Sequence, residues 1–192
     1  MAKQACQGAM LQAAIAAHRA GDRETAATLY RQILDESPDT APALSNLGSI
    51  LRQDGQLDEA IALLQRAVAL PDTNEHAAYN LGNALRSAGR HEESVAAFRL
   101  AVTRKPEWVL AHCNLGVALA DAGDQEGAEA ASRHALTLEP DHALAQKNLA
   151  GLLSSRLMRL QYQPVADERL LTDLAKDYGA LCPAAEALPQ RP

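Results

Sequence analysis

Aromatic residues are scarce in this sequence, which has one Trp, one Phe and four Tyr among 192 residues. A core without bulky rings is built mostly from Ala and Leu, so its elements have to approach one another closely. β-Branched and aromatic residues are too few and too irregular to form the alternating faces of a sheet. Strong helix formers dominate from Met10 to Leu160, and the sequence therefore predicts an all-α fold.

The chain also lacks an excess of basic residues. Its 18 Lys and Arg are outnumbered by 24 Asp and Glu, which gives a formal net charge of −6. Because a negative charge opposes attraction to phosphate backbones and anionic lipid surfaces, we expect neither nucleic acid nor a membrane as partner. The Ala-rich beginning is interrupted by Gln12 and His18 and leads to no cleavage-like site, so we expect no signal peptide and no membrane span.

Cysteine and metal-binding patterns are equally sparse. Cys6, Cys113 and Cys182 are odd in number and far apart, so we expect neither a disulfide framework nor a zinc site, and a reducing cytoplasm fits best. The six His residues share no metal-binding spacing, and no phosphate-binding loop or nucleophile elbow occurs. The sequence therefore predicts no catalytic residue, no metal and no cofactor.

A period of 34 residues organises the chain. It separates four glycines, Gly21, Gly55, Gly89 and Gly123. Glycine commonly ends a helix in the left-handed conformation, so each of these residues is predicted to separate two helices. Proline follows the second helix at Pro38, Pro106 and Pro140. Each period is therefore predicted to be a helix, a turn, a second helix and a second turn.

This period divides the sequence into repeat units. We predict a divergent first unit and three regular ones, at residues 7–40, 41–74, 75–108 and 109–142. Residues 143–160 begin a fifth unit but carry no Gly turn, and we predict that they form a capping helix that shields the last apolar face. The range 161–192 is predicted to hold one more amphipathic helix and a Pro-containing linker.

Two positions within the unit stay small. Numbered from the first residue of each unit, the eighth residues are Ala14, Gly48, Gly82 and Gly116, and the twentieth are Ala26, Ala60, Ser94 and Ala128. Leucines stand beside them at Leu47, Leu81, Leu115, Leu51, Leu85 and Leu119. We expect the small residues to let the paired helices approach closely, with the leucines as their apolar stripe.

These residues resemble the tetratricopeptide repeat family. The resemblance covers about three quarters of the chain and rests on Leu-Gly pairs in register with small, aromatic and proline residues of the second helix, including Ala60, Tyr30, Phe98 and Pro106. It implies a right-handed α-solenoid whose concave surface binds an extended peptide or a partner helix. The candidate function is a cytoplasmic protein-binding module with no catalysis of its own.

A second ladder with the same period carries side-chain amides at position six. It consists of Asn46, Asn80, Asn114 and Asn148, with Gln12 in the divergent first unit. Helical periodicity places Asn83 beside this stripe, while Arg52 and Arg86 stand at position twelve. An amide offers two donors and an acceptor, so a row of them can hold a peptide backbone without reading its sequence. Two alternatives stay open: the amides can stabilise the stacking, and the arginines can be solvated.

Residues 111–119 resemble the repeats of O-linked N-acetylglucosamine transferases, and residues 157–164 resemble the junction that precedes their catalytic part. The resemblance implies that the four ladder asparagines hold substrate peptides. One alternative function is then the substrate-recruiting arm of a glycosyltransferase whose catalytic portion lies outside this sequence. Another is a scaffold that self-assembles by burying Met10 and Leu11, or the face from Leu170 to Tyr178.

Overall fold

The computed structural model describes residues 2–71, 75–161 and 168–181, and the predicted linker after residue 181 lies outside this range. The described residues form ten α-helices and no strand. The first compact unit, Met1–Pro106, contains α1 (Ala2–Arg19), α2 (Arg23–Glu36), α3 (Ala41–Gln53), α4 (Leu57–Ala69), α5 (Glu75–Ser87) and α6 (His91–Arg104). The second, Glu107–Pro192, contains α7 (Val109–Asp121), α8 (Gln125–Leu138), α9 (Ala143–Gln161) and α10 (Glu168–Leu181). The predicted all-α solenoid class is confirmed.

The four turn glycines end the first helix of each hairpin as predicted. Their φ angles are +83° at Gly21, +79° at Gly55, +73° at Gly89 and +88° at Gly123. In each turn the glycine N–H donates a hydrogen bond to the carbonyl oxygen three residues earlier. The next N–H donates to the carbonyl oxygen five residues earlier, as from Asp124 to Leu119 at 2.8 Å. This Schellman pattern satisfies carbonyls at the helix end, and only glycine adopts the required conformation without a steric cost.

Close helix approach at position eight is also confirmed. A Cβ added at Gly82 would lie 2.8 Å from the Phe98 ring, and one at Gly48 would lie 2.6 Å from Leu64. Phe98 and Leu64 both stand at position 24 of their units and are fully buried. The bulky residue of the second helix therefore fills the space that glycine leaves on the first helix.

The second unit departs from the period at its last hairpin. Leu157 stands where a further turn glycine would fall, and helix α9 continues through it to a length of 19 residues, against 13 for α7. Leu157 is buried with Leu149 and Leu153 under Leu174 of α10. Helix α9 packs on α7 and α8, and α10 packs against α9 in turn.

An ion-pair chain fastens α10 to this end of the second unit. Arg133 of α8 contacts Asp177 of α10 at 2.8 Å and Glu129 of its own helix at 3.0 Å. Glu129 also accepts a hydrogen bond from Arg156 of α9 at 2.9 Å. The three helices are therefore linked by charge as well as by leucine packing, although each exposed pair contributes at most about 1 kcal/mol.

Two fully buried serines are expected to respond oppositely to replacement by alanine. Ser94 Oγ donates to the Gly82 carbonyl at 2.8 Å, whereas Ser132 Oγ has no hydrogen-bond partner among the described residues. Ser94→Ala should lower the free energy of unfolding by about 1 kcal/mol, and Ser132→Ala should raise it by about 1 kcal/mol. Urea titrations followed by circular dichroism measure both changes.

The two serine variants serve as each other's control, because the helix-propensity gain of alanine over serine is common to both. Their difference therefore isolates the buried hydroxyl group. Equal changes in the two variants would contradict the hydrogen-bond assignment.

Candidate functional site

In the first unit the ladder amides lie on adjacent first helices of successive hairpins. Asn80 of α5 is partly buried, and its Nδ2 group donates a hydrogen bond to Ser45 Oγ of α3 at 3.2 Å. Asn46 is partly buried near the Tyr30 hydroxyl, where burial raises the pKa of Tyr30 and the Asn46 amide opposes the rise. These amides therefore face the seam between neighbouring hairpins.

The second unit repeats this arrangement with a different acceptor. Asn148 of α9 donates from Nδ2 to the backbone carbonyl oxygen of Cys113 on α7, at 3.3 Å. Ser45 and Cys113 both occupy position five of their units. The ladder amide thus reaches the same place on the preceding first helix in both units, through a side chain in one and the backbone in the other. Asn114 is partly buried on α7.

These hydrogen bonds support the stacking alternative, but they use only part of the hydrogen-bonding capacity of each amide. An asparagine side chain has two N–H donors and one carbonyl acceptor. Asn80 and Asn148 each use one N–H toward the neighbouring helix, and within the described residues neither Oδ1 atom accepts a hydrogen bond. Both side chains are only partly buried. One donor and one acceptor on each amide are therefore left for a ligand.

The remaining predicted residues take less central places. Asn83 and Arg86 on α5 and Arg52 on α3 are partly buried, and Gln12 on α1 is exposed. All four belong to the first unit, where α3 and α5 pack against each other. Asn46, Asn80, Asn83 and the two arginines thus lie on this pair of contacting helices.

A groove of about 430 Å³ opens beside Asn148 in the second unit. Helix α7 and the first residue of α8 contribute Gly116, Val117, Ala120 and Gln125, and α9 contributes Lys147, Asn148, Gly151, Leu152 and Ser155. Lys147 is the one charged residue among these lining residues, in a chain whose net charge is −6. Opposite charge on a ligand would therefore be favoured here.

Sequence reasoning missed most of this groove. Gly151 and Ser155 occupy positions nine and thirteen of the incomplete fifth unit, on the stripe that also carries the ladder. The shared helix face was therefore the signal in the sequence by which Gly151 and Ser155 could have been found. The groove was missed because the sequence does not reveal that Gly116, Ala120 and Gly151 leave an open space between α7 and α9.

The cysteine next to the ladder is placed for packing. Cys113 is fully buried, its Sγ atom lies 3.7 Å from Nδ1 of His142, and burial raises the pKa of its thiol to about 11. A thiol with so high a pKa stays protonated at neutral pH and is a poor nucleophile. His112 is also buried, with its ring centroid 4.4 Å from that of His134.

The described ranges contain neither a membrane span nor a metal-binding cluster. No helix there is long and apolar enough to cross a membrane. No three His, Cys, Asp or Glu side chains converge in those ranges as a metal site would require.

Solved structures with similar folds are numerous. MamA protein matches with a TM-score of 0.74 at 18% identity, over 95% of this chain and 98% of that one. YrrB, described as a TPR protein with an unusual peptide-binding site, matches with a TM-score of 0.72 at 19% identity, over 91% of this chain and 86% of that one. A Thermobaculum terrenum O-GlcNAc transferase mutant matches with a TM-score of 0.67 at 29% identity, over 71% of this chain but 27% of the enzyme chain.

Sequence comparisons give a consistent assignment. No curated protein sequence matches the chain significantly. Three family models described as tetratricopeptide repeat match residues 11–75, 51–112 and 109–142, which together span more than half of the chain. These matches, the positive-φ turn glycines and the glycine seams lead to one conclusion: the chain belongs to the tetratricopeptide repeat family.

Proposed function

We propose that this chain is a protein-interaction module that holds an extended peptide, or a partner helix, on the helix faces that carry the ladder amides in each unit. The proposal rests on the amides of Asn80 and Asn148, which each use only one N–H group in a hydrogen bond within the protein. Each is anchored by one N–H to the preceding helix and keeps a donor and an acceptor for a ligand. Anchoring fixes the amide before binding, which lowers the entropy lost when a ligand is held.

Affinity in such a module comes from repetition. A neutral hydrogen bond contributes only about 0.5–1.5 kcal/mol net, so several amides must act together. The ladder supplies two of them in each compact unit, and a peptide backbone offers matching C=O and N–H groups along its length. A ligand held in this way is recognised mainly by its extended shape, with selectivity left to the surrounding side chains.

The structural comparison with YrrB is in line with this proposal, since that protein is described as a TPR protein with a peptide-binding site. Its identity to this chain is 19%, so the likeness concerns the fold, and the peptide-binding role of the present chain rests on its own residues.

The proposal predicts that Asn80→Ala with Asn148→Ala removes partners while the helices stay folded. The intact chain and the double variant are used as bait in a cell lysate, and bound proteins are identified by mass spectrometry. A matched control replaces two exposed amides on second helices, Gln32 and Gln65, by Ala. Partners retained by the intact chain and the glutamine control but lost by the asparagine variant support the ladder.

Identical partner lists for all three proteins, at equal helicity, would exclude the ladder as a binding surface. Loss of folding in the asparagine variant alone would instead assign the amides to stacking.

A second candidate function is the substrate-recruiting arm of a glycosyltransferase. It is favoured by the 29% identity to the Thermobaculum terrenum O-GlcNAc transferase mutant, of which the matched part is 27% of the chain. The genomic reading frame downstream of Pro192 distinguishes the two candidates. An in-frame glycosyltransferase domain would support the arm, and a stop codon would support a separate binding module.

A further inference from the structure

We propose that the buried Tyr30 hydroxyl anchors Asn46 through the Oδ1 atom of its amide, so that this amide offers both of its N–H groups to a ligand. Asn80 and Asn148, by contrast, each keep one N–H and the Oδ1 atom. The part of the ligand that lies against Asn46 is then recognised by its carbonyl oxygens alone. This inference rests on the proposed function and names the ligand chemistry at one ladder position.

Asn46 lacks the anchor that two other ladder amides use. Asn80 and Asn148 both donate to a residue at position five of the preceding unit, through a serine side chain in one case and a backbone carbonyl in the other. Position five of the first unit is Leu11, whose side chain has no acceptor. Within the described residues no hydrogen bond joins the Asn46 amide to α1. The anchor of this amide therefore comes from another helix.

Tyr30 of α2 is placed to provide this anchor. Its side chain is fully buried and packs in one cluster with Ala43 and Leu47, which flank Asn46 in the sequence of α3. Tyr30 is at position 24 of its unit, where the other units carry Leu64, Phe98 and Ser132. A phenol at position 24 thus occurs in the unit whose position five is an apolar leucine.

The direction of the bond follows from which atoms can accept. The Tyr30 hydroxyl is buried and makes no hydrogen bond within the described residues. Burial raises the pKa of Tyr30, and the Asn46 amide and the Arg19 guanidinium both oppose this rise. A guanidinium only donates, so Asn46 Oδ1 is the acceptor available to the phenolic proton. A small rotation about the terminal torsion of Asn46, which is broad in asparagine, closes the bond.

The reverse bond is less favourable. An amide N–H that donated to Tyr30 Oη would leave the phenolic proton buried without an acceptor, which costs the desolvation of that group. With Oδ1 held, both N–H groups of the partly buried Asn46 remain for a ligand. Two donors match backbone carbonyl oxygens, including those of proline, which has no N–H. Asn80 keeps an acceptor and therefore favours a ligand residue that has an N–H.

The first test is a double-mutant cycle at Tyr30 and Asn46, followed by urea unfolding. Tyr30→Phe keeps the ring and removes only the hydroxyl. In the intact chain it should lower the folding equilibrium constant about 2- to 13-fold, the range for one hydrogen bond. In the Asn46→Ala background it should leave this constant unchanged or raise it, because the hydroxyl then has no acceptor. If Tyr30→Phe stabilises the chain in both backgrounds, the hydroxyl has no partner and the anchor is wrong.

Asn46→Asp distinguishes the two directions of the bond. A carboxylate keeps the acceptor and removes both donors, so the loss caused by Tyr30→Phe should persist in this background. If that loss disappears, the amide donates to the phenol and the proposed direction is wrong. Tyr178→Phe, at a partly buried tyrosine of α10 in the second unit, is the matched control and should be independent of the residue at position 46.

A binding measurement tests the two free donors. The probe is fluorescein-labelled hexaproline, which has carbonyl oxygens and no backbone N–H, titrated with the protein and followed by anisotropy. Asn46→Asp should raise its dissociation constant about tenfold, because a carboxylate that repels carbonyl oxygens replaces two donors. Gln32→Glu adds the same charge at an exposed position of α2 and should change the constant less than twofold. Equal constants for the intact chain and Asn46→Asp, or no binding by the intact chain, overturn the assigned ligand chemistry.

The anchor and the proposed function fail separately. If the cycle at Tyr30 and Asn46 is additive while the Asn80 and Asn148 variant loses its lysate partners, the ladder binds and the anchor is wrong. If the cycle is coupled and the Asn80 and Asn148 variant keeps its partners, the anchor serves stacking alone and the proposed function falls.

Discussion

Replacement of Leu153 by Ala is expected to lower the free energy of unfolding by about 2–5 kcal/mol, the usual cost of truncating a fully buried leucine. Leu153 is 0% exposed at the centre of the cluster that joins α9 to α10. The truncation removes apolar contacts and leaves a cavity that the surrounding leucines fill only in part. Urea unfolding followed by far-UV circular dichroism measures the loss.

Met158→Ala on the same helix is the control. Its side chain is 52% exposed, so this variant should stay within about 0.5 kcal/mol of the parent chain. If the two variants unfold at the same urea concentration, α10 does not pack on α9 as described. The comparison also tests whether α10 completes the core of the second unit.

Phe98→Ala should cost about 3–5 kcal/mol in the first unit. The ring is fully buried, lies over Gly82, and meets the Tyr79 ring edge-on with centroids 5.7 Å apart. Its loss therefore opens a cavity between α5 and α6 and removes an aromatic pair. The measurement is the same urea titration.

A double-mutant cycle with Gly82 tests the close approach itself. Because an added Cβ would lie 2.8 Å from the ring, Gly82→Ala alone should lower the free energy of unfolding by about 1–3 kcal/mol through overpacking. Once Phe98 is replaced by Ala, the same change at Gly82 should cost little, since the ring is gone. Strictly additive effects would show that the ring does not limit this position.

The hairpins could be predicted because their determinants are local. A turn glycine needs only its own φ angle and the carbonyls three and five residues back, and these recur with the 34-residue period. The small residue at position eight is nearly as local, because its partner at position 24 belongs to the same hairpin. Periodicity therefore predicted the turns and the seams together.

The structure of the last hairpin depends on contacts that are less local. The absence of glycine at Leu157 predicted that no regular turn follows, but it did not show that α9 lengthens or that α10 covers it. Those outcomes depend on packing between Leu153 and Leu174, which are distant in sequence.

The site was predicted only in outline. The ladder amides were identified by their period, but their internal partners could not be, because Asn80 bonds a serine side chain and Asn148 a backbone carbonyl. The acceptor depends on which residue occupies position five of the preceding unit and on how closely the two first helices approach. One N–H of each amide is therefore used toward the neighbouring helix, and the second N–H is the one that we propose for a ligand.

The dissociation constant of the captured partner segment tests ligand binding by the ladder most directly. It is measured by isothermal titration with the intact chain, with the Asn80→Ala and Asn148→Ala double variant, and with Ser45→Ala, which removes an internal acceptor but keeps both amides. The hydrogen bond that each unit loses toward its ligand should raise that unit's dissociation constant roughly 2- to 13-fold in the double variant. Ser45→Ala should raise it less than the double variant does, because it removes the anchor of Asn80 but keeps both amides. An unchanged dissociation constant in a folded double variant would contradict binding by the ladder.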